Sequence, residues 1–309
     1  MTCRNVLIAG LFLAATAGFA NAADLPTKAP ESTVPLDPPL FIVNNNSIGY
    51  SYAFTATDPG AGTTPKNVLT FTHFDVWKYG TNFFNLDYLK ATSSSTPTAQ
   101  GTQGYSEMYG VLRSTFGFNE IFNTKAFAVG PLTDVSLLVG ADLNTDNSKL
   151  NSEKRSIEAG IQFSFMAPYK GFINLTPTVY KEWQHDGYAA MAGTNPSGDV
   201  SYNTTWGFEW LYQQPLGFLP SSIPLTYKFF GTIHGPKGSG EGDAAAPTKT
   251  EYYLQQNLSL DVGKMAGQRP NMVSLWAGYR YWYNKFGINH NDLPYSIEST
   301  WLTGVTVAF

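Results

Sequence analysis

The last ten residues, Thr300 to Phe309, read T-W-L-T-G-V-T-V-A-F. Successive side chains of a β-strand point to opposite faces, so this stretch separates into two sets. One face carries Trp301, Thr303, Val305, Val307 and Phe309. An apolar, β-branched face that ends in a phenylalanine is typical of the strand that closes a bacterial outer-membrane β-barrel. The stretch therefore predicts a transmembrane barrel, and Phe309 is the residue that we expect the outer-membrane assembly machinery to recognise.

The amino terminus predicts export from the cytoplasm. A basic residue, Arg4, precedes an apolar run over residues 6–19, and A-N-A at residues 20–22 is a cleavage signal. The apolar run is shorter than the ~20 residues that a spanning helix needs. We therefore expect a signal peptide over residues 1–22. Its removal takes away Cys3, the only cysteine, which excludes disulfides, thiol catalysis and cysteine-ligated metals from the mature chain.

The composition excludes other classes of protein. Charged residues make up 14% of the chain, against ~25% in an ordinary soluble domain. Aromatic residues reach 15%, with 18 Tyr and 21 Phe. No apolar run after the signal approaches the ~18 residues of a helical span. The net charge of −4 gives no support for binding a nucleic-acid polymer, which usually requires a basic surface. These features together fit a β-barrel, whose strands point alternate side chains toward the lipid and toward the lumen.

The segment before the barrel is rich in proline. Residues 23–44 contain Pro26, Pro30, Pro35, Pro38 and Pro39. Proline removes a backbone donor and fixes φ, so neither a helix nor a central strand fits here. We interpret residues 23–44 as an extended or disordered periplasmic segment; an alternative is that it enters the mouth of the pore. The barrel is expected to occupy residues 45–309.

From about residue 45, strand-like runs of period 2 alternate with turns. Most of the runs are about as long as the ~9–11 residues that a tilted strand needs to cross a bilayer. An even number of strands places both termini on the periplasmic side. The predicted strands are 46–55, 67–77, 82–90, 105–116, 132–143, 155–166, 172–183, 200–213, 223–233, 250–263, 272–284 and 297–309.

The connections alternate in length, which predicts the orientation in the membrane. Residues 78–81, 167–171 and 265–271 are short, as periplasmic turns are. Longer polar connections, expected outside the cell, cover residues 57–66, 91–104, 144–154, 187–199 and 235–249. The connection at 117–130 is longer than the other periplasmic ones, and Asn119–Phe122 predicts a short helix within it.

Apolar and polar residues alternate within the predicted strands, as in I-E-A-G-I-Q-F-S-F over residues 157–165. A soluble β-sandwich alternates in the same way, with its polar face toward water. The many aromatic residues on the apolar faces, the signal peptide and Phe309 favour the barrel.

If the apolar faces contact lipid, the opposite faces line a lumen. A cationic side chain on the lipid face costs roughly 2–4 kcal/mol near mid-membrane, so charges indicate the lumen. Lys181 is the exception, near an external strand end where its amine reaches water. The charged residues assigned to the lumen are Asp75, Asp87, Glu107, Arg113, Asp134, Asp142, Glu158, Glu182, Glu209, Lys228, Glu251, Asp261 and Arg280.

Aromatic side chains are assigned to the same faces, where they either stack on a flat or sugar-like solute or fill a narrow interior. The rings placed in the lumen are Phe71, Phe83, Tyr105, Tyr109, Tyr180, Tyr253, Trp276 and Trp282. The residues that we predict to contact solute are Phe71, His73, Asp75, Phe83, Asp87, Glu107, Arg113, Glu182, Glu209, Lys228, Arg280 and Trp282.

Three segments resemble a known family. They are F-T-H-F-D-V-W-K-Y-G-T-N-F-F-N-L-D-Y-L at 71–89, G-P-L-T-D-V-S-L-L-V-G-A-D-L at 130–143, and Y-K-E-W-Q-H-D-G-Y at 180–188. In order and strand placement they resemble the nucleoside-specific channel-forming porins of the Gram-negative outer membrane. That resemblance implies a monomeric barrel of twelve strands that passes nucleosides. The Pro-rich extension and the Ser/Thr/Ala/Gly-rich loops depart from the family, and no ligand contact is transferred from it.

We therefore expect a passive outer-membrane channel for small polar solutes such as nucleosides, with no cofactor, no metal and no catalytic residues. One alternative is a barrel that transports nothing and serves as an adhesin or structural protein. Another is an outer-membrane hydrolase, but no nucleophile motif such as G-x-S-x-G accompanies the histidines in the loops.

Overall fold

The computed structural model describes residues 41–60, 62–92, 104, 106–147, 153–242 and 246–309. The predicted signal peptide, most of the Pro-rich segment and Tyr105 lie outside these residues. Twelve long strands dominate the fold, and we label them β1 to β12. Their bounds are Phe41–Ala53, Lys66–Trp77, Gly80–Ala91, Ser106–Gly117, Leu132–Asp146, Arg155–Ala167, Gly171–His185, Thr205–Pro215, Leu225–His234, Glu251–Asp261, Val273–Tyr283 and Ile297–Ala308.

Each long strand pairs antiparallel with the next one in the chain, and the last strand pairs with the first. The closing register runs from Ser47 opposite Ala308 to Ala53 opposite Leu302. The sheet thus forms a closed, antiparallel barrel of twelve strands, which confirms the predicted fold. Closure matters physically because it leaves no strand edge unpaired, as a span in lipid requires.

The two ends of the barrel differ. β1 begins and β12 ends at one end, which we call the turn end, together with the connections at 78–79, 118–131, 168–170, 216–224 and 262–272. The opposite end, which we call the loop end, is where β1, β3, β5, β7, β9 and β11 end and the strand that follows each of them begins. A short hairpin, Thr57–Asp58 with Gly62–Thr63, lies between β1 and β2. The short strand Asp199–Ser201 pairs antiparallel with the last residues of β7, Trp183 to His185.

Helices are confined to the connections. α1 spans Phe118–Ile121, α2 spans Gly187–Ala192 and α3 spans Val262–Met265. α3 begins directly after β10 because the carboxylate of Asp261 accepts a hydrogen bond from the Lys264 backbone amide at 2.9 Å. Among the described residues, no helix is long and apolar enough to cross a membrane.

The two faces of the sheet have opposite chemistry. Large apolar side chains point outward and are well exposed, for example Leu69 at 52%, Val179 at 62% and Leu275 at 50%. The inward face is polar yet buried, and it includes fully enclosed residues such as Glu182 and Thr300. An apolar exterior around a polar interior is the reverse of a soluble barrel and is the arrangement of a transmembrane one.

The predicted strand spans agree with the structure to within a few residues, with two differences. β1 begins at Phe41, so the barrel starts before the predicted boundary at residue 45. The predicted strand 200–213 is two elements, Asp199–Ser201 and β8, because residues 202–204 turn between them. The helix predicted at Asn119–Phe122 is confirmed as α1.

Candidate functional site: the barrel lumen

The interior face can be identified from one long side chain. Arg113 lies on β4, and its guanidinium contacts the carboxylate of Glu209 on β8 at 2.7 Å. These strands are not neighbours in the sheet, so the contact crosses the inside of the barrel. Residues directly opposite each other in an antiparallel pair share a face. The register therefore assigns every other residue to the lumen, starting from Arg113 and proceeding around the barrel.

This register places most of the predicted residues on the inward face. They are Phe83, Asp87, Glu107, Arg113, Glu182, Glu209, Lys228, Arg280 and Trp282. The lumen charges Asp134, Asp142, Glu158, Glu251 and Asp261 and the rings of Tyr109, Tyr180, Tyr253 and Trp276 also point inward. Their contact with a solute remains a prediction.

Three predicted lumen residues lie on the opposite face: Phe71, His73 and Asp75 all point outward. Arg113 is paired with Phe83, and Phe83 with Phe74, so Phe74 belongs to the lumen. Each of the three predicted residues stands an odd number of positions from Phe74 on a regular strand, and they therefore share the outer face.

The error has a physical cause. β2 carries apolar residues on both faces, Leu69 and Phe71 on one and Phe74 and Val76 on the other. Apolarity therefore does not distinguish its faces, and the charge of Asp75 wrongly indicates that its face lines the lumen. That carboxylate instead accepts hydrogen bonds on the outer face.

The centre of the lumen holds a cluster around Arg113, which we call the arginine cluster. The Arg113 guanidinium lies 2.7 Å from Asp142, 2.5 Å from Glu158 and 2.7 Å from Glu209. Gly140 lies directly opposite Arg113, and a Cβ at that position would be 2.7 Å from the Arg113 Cδ. The glycine thus makes room for the arginine stem to lie across the wall.

The arginine cluster is short of positive charge. One guanidinium faces three carboxylates, and the nearest further cation, the Lys154 ammonium, is 3.8 Å from Asp142. Glu158 Oε2 is buried and has no hydrogen-bond partner among the described residues. Carboxylates in such surroundings require water, a proton or another cation to offset their charge.

A second cationic group lies on a distant part of the wall, on β11. The Arg280 Nε donates to Gln255 Oε1 at 2.9 Å, and its guanidinium is 3.5 Å from Glu298. The same guanidinium stands 5.7 Å from the centre of the Tyr253 ring. Ring, amide and guanidinium together form a surface that combines stacking with hydrogen bonding.

Lys228 lies closer to the turn end and has different neighbours. It is opposite Gln213 on β8 and Asn257 on β10, and both of these side chains are uncharged. No ion pair joins Lys228 to a carboxylate within the described ranges. Among the described residues, Lys228 thus lacks the kind of carboxylate partner that Arg113 and Arg280 have.

At the loop end the lumen is filled by a group of four lysines, which we call the lysine layer. Its members are Lys66, Lys154, Lys237 and Lys285, each at most 2% exposed. The Lys66 ammonium is 2.8 Å from Glu107, that of Lys237 is 2.6 Å from Glu182, and that of Lys285 is 3.1 Å from Glu298. Lysines without solvent contact are rare unless paired, so these ion pairs hold the loops against the barrel mouth.

Aromatic rings complete the lysine layer. The Lys285 ammonium lies 4.7 Å from the Trp282 ring centre, and the Trp282 indole donates to Glu251 at 2.7 Å. The Lys237 ammonium lies 4.9 Å from the ring of Tyr202. Burial, and then the charge of Glu182, raises the pKa of Tyr202, so this phenol stays neutral.

The lysine layer is not predicted by the sequence. These lysines lie in or beside connections that are expected to be external, where a charged residue is usually solvated. The sequence nevertheless contains an indication of it. Lys66 is the first residue of β2 and Lys154 directly precedes β6, and the alternation along these strands places both side chains on the inward face.

Two of the four histidines pack against tyrosine rings. His234 is buried and stacks on Tyr180 with ring centres 3.8 Å apart, while His290 lies beside Tyr283 in a loop. Within the ranges that the structure covers, no three residues of His, Cys, Asp and Glu are arranged to hold a metal ion.

Comparisons with known proteins concern the fold alone. No protein-family model and no curated protein matches the sequence. Among solved structures, a bacterial polysaccharide outer-membrane secretin is 11% identical, covers 86% of this chain and 98% of its own, and gives a TM-score of 0.36. Pseudomonas aeruginosa OccK11 (OpdR) is 8% identical over 86% of this chain and 95% of its own, with a TM-score of 0.36. Pseudomonas aeruginosa OpdL is 8% identical over 86% and 97%, with a TM-score of 0.32.

Proposed function

We propose that this protein is a passive channel of the Gram-negative outer membrane for small polar solutes. The observation that carries the proposal is the arginine cluster, in which three carboxylates share one guanidinium inside a barrel with an apolar exterior. A wall with unbalanced charge needs mobile partners, and water and passing solutes supply them. Weak contacts with the wall that replace the hydration of a solute let that solute enter and leave the lumen, as conduction requires.

Nucleosides are the solute class that we propose first. A nucleoside presents a flat base and a ribose with hydroxyl groups. The lumen offers rings at Phe83, Tyr253 and Trp276, and hydrogen-bonding side chains at Gln255 and Asn257 lie on the same face. Stacking on such rings tolerates different bases. It contributes about 1–3 kcal/mol per base in proteins that bind single-stranded nucleic acid. The resemblance of the three sequence segments supports the same class.

Single-channel recording in a planar bilayer tests the proposal. The purified protein is expected to give discrete openings, and added nucleosides are expected to reduce the current in a saturable way while an equal concentration of a small sugar does so less. Openings that no nucleoside affects would contradict the solute class. Absence of openings at any voltage would contradict the channel itself.

The lysine layer favours a second candidate, a barrel that transports nothing. Its ion pairs are fully enclosed at the loop end, so they could hold the mouth shut permanently. The two candidates differ in a liposome-swelling assay. A channel gives swelling in nucleosides, whereas a closed barrel gives none although it is folded and inserted.

We also propose that Phe309 takes part in assembly. It follows β12, donates its backbone amide to Asn46 on β1 at 2.9 Å, and leaves its side chain 61% exposed. The Phe309→Ala variant is expected to be made and exported normally but to reach the outer membrane severalfold less, because the assembly machinery loses an exposed ring. Quantitative blotting of membrane fractions measures this, and equal levels of variant and parent would contradict it. Val307→Ala, a loss of apolar surface on the same face, is the control.

A further inference from the structure

Lys228 differs from the other cationic side chains that reach the interior of the barrel. In the described part of the chain, each of the others forms an ion pair with a carboxylate; they are Lys66, Arg113, Lys154, Lys237, Arg280 and Lys285. Within the same ranges, Lys228 forms neither an ion pair nor a hydrogen bond. Charged side chains in a protein interior rarely lack a partner. The three N–H groups of the Lys228 ammonium are thus left for a partner in the lumen.

Two amide side chains flank Lys228 on the inward face. Gln213 of β8 and Asn257 of β10 lie directly opposite it, one on each side. Opposite residues of neighbouring antiparallel strands have Cβ atoms about 4.5–5.5 Å apart, so the three side chains form one row across the wall. All three side chains are half-buried, and the row therefore still contacts the interior space.

A chain of hydrogen bonds determines which way the Asn257 amide points. Arginine carries donors only, so Gln255 Oε1, which lies 2.9 Å from Arg280 Nε, must accept. The hydroxyl of Tyr253 donates to the same oxygen at 3.1 Å. Gln255 Nε2 therefore donates, and its acceptor is Asn257 Oδ1 at 3.1 Å. The other end of that amide, Asn257 Nδ2, is thus a donor, and no described residue accepts from it.

Gly278 makes room for this arrangement. It lies opposite Asn257 on β11, and a Cβ at Gly278 would be 2.1 Å from Asn257 Oδ1. The Asn257 oxygen therefore lies toward β11, whereas Lys228 is on the other side of Asn257, on β9. The wall beside Lys228 thus offers N–H donors next to an ammonium that has no carboxylate.

We propose that Lys228 and the Asn257 amide bind the phosphate group of a small solute, a nucleoside monophosphate. The oxygens of a phosphate accept several N–H donors at once, and lysine binds phosphate as a point charge. A ring for the base is close, because Trp276 lies on the inward face two residues from Gly278 along β11. The inference deepens the proposed function and rests on it, since the solute must enter the lumen.

The carboxylates of the arginine cluster lie at another level of the lumen. Glu209 and Gln213 are four residues apart on β8, which is about 14 Å along the strand. This separation exceeds the Debye length of ~8 Å at physiological ionic strength, so charges that far apart across water are largely screened. A phosphate beside Lys228 is therefore compatible with the acidic cluster.

Block of the single-channel current tests the subsite with two probes, adenosine and adenosine 5′-monophosphate. In the native protein, we expect the monophosphate to halve the current at a severalfold lower concentration than adenosine does. This preference is expected to disappear or reverse in Lys228→Met and to persist in Lys228→Arg, which keeps the positive charge. Recording at small voltages of both polarities separates binding from the pull of the field on the charged probe.

Lys181→Met is the matched control, because it removes an equal charge from the outer face of β7 and is expected to keep the preference for the monophosphate. A preference that persists in Lys228→Met, or one that is lost equally in Lys181→Met, would overturn the subsite. Block by adenosine without any preference for the monophosphate in the native protein would also overturn it, and would leave the proposed channel intact.

A second measurement does not require conduction. Isothermal titration of inorganic phosphate into the protein in detergent micelles is expected to show saturable binding by the native protein and by Lys181→Met, and severalfold weaker binding by Lys228→Met. An unchanged heat shift on denaturing gels would show that the variants form the barrel. Equal binding by native protein and Lys228→Met, or none by the native protein, would overturn the subsite. Binding that depends on Lys228 in a protein without openings would support the subsite and contradict the channel.

Discussion

Replacement of Arg113 by glutamine is expected to raise the cation-to-anion permeability ratio of the channel severalfold and to increase its single-channel conductance. The substitution removes the guanidinium that contacts Asp142, Glu158 and Glu209. Rings of carboxylates select cations, and their charge acts strongly in a narrow lumen. The shorter side chain also clears the path that Arg113 occupies between β4 and β8.

The reversal potential under a salt gradient measures the change in selectivity. Arg113→Lys is the matched control, because it keeps the positive charge and loses only the bidentate contact. An unchanged reversal potential in Arg113→Gln would show that the three carboxylates do not face the conducting path. The variant is also expected to unfold more easily, by about 3–5 kcal/mol, because buried carboxylates lose their partner.

The second large effect is expected in the lysine layer. Lys237 and Glu182 form its most enclosed pair, with side chains 1% and 0% exposed and a separation of 2.6 Å. Lys237→Met leaves a buried carboxylate without its cation, and it is expected to lower the free energy of unfolding by about 3–5 kcal/mol. Urea unfolding in detergent micelles, followed by tryptophan fluorescence, measures the loss.

A second substitution separates charge from packing in that pair. Glu182→Gln removes the charge but keeps an oxygen for the hydrogen bond that Tyr180 donates at 2.5 Å. The double variant Lys237→Met, Glu182→Gln is expected to be more stable than Lys237→Met alone, because no uncompensated charge remains. A double variant that loses the sum of the two single effects would indicate that the ion pair itself contributes nothing.

The architecture was predictable because strand alternation is a local property. Residues 155–166 place apolar side chains on one face and polar side chains on the other. The span of the strand and the face to which each side chain points therefore follow from the sequence alone, and β6 has the expected span and faces. The position of the turns follows in the same way from short polar connections between such runs.

Two parts of the candidate site were not predictable because they depend on tertiary partners. Asp75 is tolerated on the outer face only because Asn82 and His73 reach it from neighbouring positions, and no single strand reveals that. Lys237 lies in a loop, and its insertion into the lumen depends on Glu182, 55 residues earlier in the chain. Charge alone therefore identifies a lumen residue only where the apolar residues of the same strand all lie on the opposite face.

The pairing of β1 with β12 has a consequence for how the molecule matures. Ser47 and Ala308 are nearly at opposite ends of the chain, so the seam between them is the contact of greatest sequence separation in the barrel. Contacts of this kind form late and slowly. Until they do, two sheet edges remain open to pairing with other chains. The chain is thus most prone to aggregate between its synthesis and the closure of the barrel. Substitutions along the seam between β1 and β12 are expected to lower the yield of folded protein more than they lower its free energy of unfolding.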